Sequence, residues 1–151
     1  MQLVLDSSVL IAAVNPSEPE HAGARDFVER LRAALASGTS SAFAPPELWL
    51  EVHVVEHRLA ASRKGGSAPG SAMAGLAIGL VAPGGVEELE AFLGHLGKRM
   101  RGRRPFANAT DLVYLWAGWS VGATVMTLDQ GMLGYHGVVC DVTRPQHARL
   151  G

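Results

Sequence analysis

Apolar and polar positions fall in blocks along the chain, and the blocks change period. Residues 2–5 are a short apolar run with β-branched content that stops at Asp6-Ser7-Ser8, residues able to cap a helix. The pattern predicts a strand, then a helix through Ala13. Residues 15–20 hold two prolines and read as a loop. Phe27, Val28, Leu31 and Leu35 recur at helical spacing and predict an amphipathic helix over 22–36. Residues 42–44 read as a short strand closed by Pro45-Pro46, with Pro46 suited to the first turn of a helix that fades by Ser62. Residues 64–70 are rich in Gly, Ser and Pro, as a loop is. Residues 71–85 fit either a loosely packed helix or, at Leu80-Val81-Ala82, a short strand. Helices follow over 86–100, with Leu89, Phe92, Leu93 and Leu96 inward, and over 108–121. Buried strands are predicted at 123–128 and 138–142. Strands alternating with helices imply an α/β class chain, a three-layer α/β/α sandwich around a mainly parallel sheet, in one domain over 1–151. In such sheets ligands collect beyond the carboxyl ends of the strands.

Composition narrows the class. With 151 residues, 48% apolar and 18% charged, the chain is globular in composition and can bury a core. The single cysteine, Cys140, forms no internal disulfide and reads as a small buried thiol. The first residues lack the basic run of a secretory signal, and no apolar stretch is long enough to span a bilayer. A reducing, cytoplasmic setting without a membrane is the expectation. The net charge of -1 announces no nucleic acid, yet Lys98, Arg99, Arg101, Arg103 and Arg104 put five cations into seven residues. Such a run suits either a solvated helix end or a phosphate backbone. Of the tryptophans, Trp119 falls on the apolar stripe of its helix, whereas Trp49 leans off its own and suits an interface.

Two acids stand where strands end: Asp6 after the first, Asp129 after 123–128. Asp111 lies in the first turn of the 108–121 helix. The short link from that helix into the next strand makes the two antiparallel, so Asp111 and Asp129 can share a cleft. Each acid also has a plain structural reading, as a cap, a turn residue or a partner of a helix dipole.

The stretch ELWLEVHVVEH offers two chemistries. His53, Glu56 and His57 spell H-x-x-E-H, a zinc-hydrolase pattern. At about 100° per residue, Leu48, Val52, Val55 and Leu59 make the buried stripe, with Glu51 and Glu56 each roughly 70° to either side. His53 and His57 then lie roughly 130° and 170° away, toward solvent. Glu51 is close to the helix start, while Glu56 is about 7.5 Å farther along the axis. Glu51 is therefore the better candidate for the sheet edge.

LVLDSSVLIA, PELWLE and ATDLVYLWAGWSVGATVMTLD occur in this order between Leu3 and Asp129. They resemble the signatures of PIN-domain ribonucleases, most closely the VapC-type toxins of toxin–antitoxin pairs, and the resemblance extends to about Val142. It implies a PIN-like sandwich and a magnesium- or manganese-dependent endoribonuclease acting on RNA. It further implies Asp6, Glu51, Asp111 and Asp129 as the catalytic metal site, with Ser8 and Thr127 as supporting hydroxyls. A homodimer and a cognate antitoxin whose tail occludes the cleft are implied as partners. RNA then gives the basic run from Lys98 to Arg104 a purpose, since an acidic site does not attract RNA unaided. Two other readings stay open: a PIN-like module that binds RNA or protein without cutting, and a zinc hydrolase built on His53, Glu56 and His57.

Overall fold

The computed structural model describes residues 1–62, 70–100 and 108–150. Strand β1 (Gln2–Leu5) leads into helices α1 (Ser7–Val14) and α2 (His21–Ala36). Then come β2 (Ser41–Ala44), α3 (Glu47–Ser62), β3 (Ile78–Leu80), α4 (Val86–Arg99) and α5 (Ala109–Val121). The chain finishes with β4 (Thr124–Met126), α6 (Gln130–Leu133), β5 (Val142–Thr143) and a 3₁₀ turn at Pro145–His147. The five strands make one sheet in the order β3-β2-β1-β4-β5, and every pairing is parallel.

Leu3, Val4 and Leu5 are all fully buried, the mark of a central parallel strand covered on both faces. The chain winds outward from β1 through β2 to β3, then returns to the other side of β1 as β4. Right-handed crossovers of opposite sense place α1, α2 and α3 on one face and α4 and α5 on the other. The packing agrees: α1 touches α2 and α3, while α5 lies on β1, β2 and β4. The reversal between β1 and β4 is a topological switch point, where loops diverge and leave a crevice at the carboxyl edge.

Two glycines set how closely α5 approaches the sheet. A Cβ on Gly118 would come within 2.6 Å of Val125 Cγ2 and 3.0 Å of Cys140 Sγ, so only glycine lets the helix ride this near to β4. Gly122 ends α5 in the left-handed region at φ 64. Together they fix the height of α5 and hence of Asp111 at its other end.

Several expectations shift. The uncertain 71–85 segment contains the strand Ile78–Leu80, two residues before the expected place. The last strand is Val142–Thr143 rather than 138–142, because residues 134–140 are turns and bends; Val138 is buried from a turn, and so looked strand-like in sequence. On α4, Phe92 and Leu96 are buried but Leu93 faces outward. Trp116 is the tryptophan sealed in the core, with Trp119 only half-buried. Cys140 precedes β5 and is half-buried; burial, with Asp141 nearby, pushes its thiol up to about 12, so it stays protonated and is a poor nucleophile. No helix among the described residues is long and apolar enough to cross a membrane.

Candidate active site

Asp6 sits in the N-cap position of α1 but does not cap it. Its backbone N–H completes the ladder to Met126 O at 3.0 Å, which leaves the carboxylate at the switch point between β1 and β4. Oδ2 accepts from Ser8 Oγ at 2.5 Å and from Thr127 Oγ1 at 2.6 Å. Each hydroxyl in turn accepts a backbone N–H: Ser8 Oγ from Leu128 at 3.0 Å, Thr127 Oγ1 from Asp129 at 3.0 Å. An incoming N–H orients each hydroxyl so that its single proton goes to Asp6. This network ties the end of β1 to the end of β4 and holds one carboxylate in one pose.

The other acids arrive from three further elements. Asp129 starts α6 and caps it, with Oδ1 accepting from Met132 N–H at 3.0 Å. Asp111 lies in the first turn of α5, where Asn108 Oδ1 accepts its backbone N–H at 2.9 Å. Asn108 supplies that cap, and its side chain and backbone in turn hydrogen-bond the Asp111 carboxylate, the reciprocal half of a capping box, so Asp111 serves the helix start as well as facing the other acids. Glu51, one turn into α3, accepts from Tyr114 Oη at 2.7 Å. Tyr114 is buried, and burial together with Glu51 and Asp6 raises its hydroxyl far above the usual range, so it remains a donor.

The acids reach one another pairwise, Glu51 with Asp6, and Asp111 with Asp129 and Asp6. Asp6 is raised above its ordinary value, first by burial, with Glu51 adding to it and the Ser8 and Thr127 hydrogen bonds opposing. Asp111 is raised to about 6 by burial, then by Asp129 and Asp6. No Lys, Arg or His is ion-paired to any of the four among the described residues. Nor do three acid, imidazole or thiol groups there form a ready-made metal cage. An open, all-oxygen arrangement fits magnesium or manganese, which keeps several waters and takes few protein ligands, better than a closed zinc tetrahedron.

The H-x-x-E-H residues do something else. Glu56 is 5% exposed and accepts from Gly70 N–H at 2.6 Å, Ala72 N–H at 2.8 Å and Ser71 Oγ at 3.2 Å. His53 Nδ1 is 3.6 Å from it, and His57 is exposed. The Glu56 carboxylate is spent anchoring residues 70–72 and is not free to act as a base. This also corrects the buried stripe of α3, which runs through Leu48, Val52 and Glu56, while Val55 is half-buried.

The two described residues of the basic run stand away from the acids. Lys98 and Arg99 are exposed at the end of α4, and Arg99 lines a cavity with Gly122, Ala123 and Thr124 at the amino end of β4. Arg101, Arg103 and Arg104 lie outside the described residues. Sequence reading missed Tyr114; its one signal is position, three residues after Asp111 and so on the same face of α5.

No protein-family model matches this chain, and no curated protein matches it by sequence. Among solved structures it is similar to a chain of VapBC2 from Rickettsia felis, crystallised bound to a DNA fragment from their promoter. That match has 11% identity and a TM-score of 0.59, and covers 95% of this chain and 98% of the other. At that identity the likeness is one of architecture: the chain has the PIN-like α/β/α fold, with its four acids at the carboxyl edge of the sheet.

Proposed function

We propose that this chain is a magnesium- or manganese-dependent endoribonuclease and the toxin half of a toxin–antitoxin pair. The observation that carries the nuclease reading is the placement of Asp6 by Ser8 and Thr127 between the ends of β1 and β4, with Glu51 near Asp6 and with Asp111 near both Asp6 and Asp129. Like charges brought together in a partly buried crevice destabilise one another unless a cation joins them. Asp6, Glu51, Asp111 and Asp129 would hold the ion. Bound there, such an ion would lower the pKa of a water and would offset charge building on a phosphodiester.

The chain's own residues supply the rest. Ser8 and Thr127 orient Asp6, and Tyr114 holds Glu51, so the ligand set is organised before substrate arrives. RNA as substrate follows from the sequence resemblance. An antitoxin tail has a suitable seat beside the acids, an apolar groove of about 330 Å3 lined by Ser7, Ile11, Leu50, Glu51, Val54 and Val55. Leu50 there is 68% exposed, an apolar surface that a partner would cover. A homodimer, on the strength of the resemblance, and a cytoplasmic setting, on that of the lone cysteine, complete the proposal.

The test is cleavage of a structured RNA pool by wild type and Asp6→Asn, each with magnesium, manganese, zinc or chelator. Cutting that requires magnesium or manganese and vanishes in Asp6→Asn is expected. Cutting that survives Asp6→Asn would sink the four-acid site. No cutting by folded, partner-free wild type in any metal would favour a binding module.

A further inference from the structure

Opposite the acids, at the amino edge of the sheet, lies a cavity of about 360 Å3 between the ends of α4 and α5 and the start of β5. Arg99, Gly118, Trp119, Thr124, Cys140 and Asp141 contribute to its wall. β4 begins at this edge and Asp129 lies five residues beyond Thr124, so roughly 15 Å separates the cavity from the acidic crevice. It is a different site from the one described above.

The wall combines three chemistries. Trp119 is half-buried and its indole is held by neighbouring rings, with the Phe92 ring centroid 5.6 Å away and the His95 ring 5.9 Å away. Arg99 supplies an exposed guanidinium at the end of its helix, with Lys98 next to it. Asp141 supplies an exposed carboxylate, and Arg99 and Asp141 are not paired with each other. Gly122, with nothing within 4 Å of where a Cβ would stand, leaves its part of the wall open.

A bare anion meets repulsion from Asp141 here, and a bare cation meets Arg99. A purely apolar ligand makes use of neither charge. The ligand that satisfies all three walls is flat, anionic at one end, and edged with N–H donors at the other. We infer that this cavity is a nucleotide subsite, with the base against Trp119, its N–H edge donating to Asp141 and its phosphate accepting from Arg99. A base with two adjacent N–H donors, guanine, suits the carboxylate best, and the cavity volume falls in the range of small-molecule sites. Aromatic stacking with a cationic partner is the general mode for holding single-stranded nucleic acid. The inference rests on the nuclease reading for the source of the nucleotide, an RNA chain, and not for the binding itself.

The test is equilibrium binding in the presence of chelator, so that the acidic crevice takes no part. Guanosine monophosphate, a short guanine-rich oligoribonucleotide and a uracil-only one are titrated into wild type, Arg99→Ala, Asp141→Asn and Asp6→Asn. Saturable binding in wild type and Asp6→Asn is expected, with a loss of about tenfold or more in Arg99→Ala. Asp141→Asn should erase the preference for guanine over uracil. Binding of the oligomer alone would assign the subsite to RNA, and equal binding of the monophosphate would assign it to free nucleotide; both support it. Absence of saturable binding, or unchanged binding in Arg99→Ala and Asp141→Asn, would overturn it, since both residues are exposed and their loss leaves the fold intact. A pocket that binds in a protein that does not cleave removes the nuclease reading alone. Cleavage without nucleotide binding here removes this inference alone.

Discussion

Asp6 and Glu56 are both buried to the same degree, 5% exposed, and both accept several hydrogen bonds, yet they belong to different kinds of region. The main donors to Asp6 are two side-chain hydroxyls converging on Oδ2, with the Ser8 backbone adding a weaker one, and its neighbours in charge are other acids. The donors to Glu56 are two backbone N–H groups and a serine hydroxyl from one short segment, spread over both of its oxygens. The first arrangement orients a carboxylate and leaves it facing like charge. The second consumes a carboxylate to anchor the chain. What a buried acid is for can be read from its donors better than from its burial.

The largest effect should come from removing the carboxylate that is oriented for use. Asp6→Asn is expected to lower metal-dependent cleavage by more than roughly a hundredfold, beyond the range usual for residues that only orient a ligand. Next come those orienting residues. Thr127→Val and Tyr114→Phe each remove one donor to an acid, and each should weaken metal affinity or turnover about 10- to 100-fold. Titrating magnesium against activity separates the two variants from a general loss of stability, because rising metal should recover much of the rate. If Tyr114→Phe shows wild-type metal dependence, Glu51 does not need its tyrosine.

That pairing marks where sequence reading stopped. The strand ending at Asp6 was legible because an apolar run ended by an acid and small hydroxyl residues has few other meanings. Asp111 and Asp129 were legible because a short connection fixes the direction of α5 against β4. The hydrogen bond between Tyr114 and Glu51 joins positions 63 apart, and no local pattern encodes it. The edge strands were mistimed for a related reason: their bounds are set by pairing with β2 and β4, not by their own short runs. On α3 the helical wheel gave Val55 too much weight, since residues 70–72 cover the opposite shoulder and draw Glu56 inward. The basic run is a different case. Charge density said that something anionic could bind, but not at which edge of the sheet.

Glu56→Gln turns the comparison around. The amide keeps one acceptor but replaces the other with a donor facing backbone N–H groups, so a cost of about 1–3 kcal/mol is expected from unsatisfied buried groups. A lowered denaturant midpoint with unchanged cleavage per folded molecule would confirm an anchoring role. Unchanged stability together with lost activity would return the H-x-x-E-H residues to the chemistry.

The smallest effect concerns pH. Asp111 is raised from 3.8 to about 6, chiefly by burial and then by Asp129 and Asp6, and Asp6 is raised as well. Between pH 4 and 6 the folded protein therefore keeps a proton at Asp111 that the unfolded chain has released. Stability from this source is full below the unfolded value and is lost as pH rises through about 6. Without divalent metal the protein should thus melt at a higher temperature near pH 5 than near pH 7, as far as these acids decide it. A bound cation reverses the sign, because it favours the ionised carboxylates and stabilises the folded state in proportion to its occupancy. Magnesium should then raise the melting temperature more at pH 7 than at pH 5, and Asp111→Asn should flatten the metal-free slope. Equal magnesium shifts at both pH values would mean that the four acids do not act as one site, however close the sheet brings them.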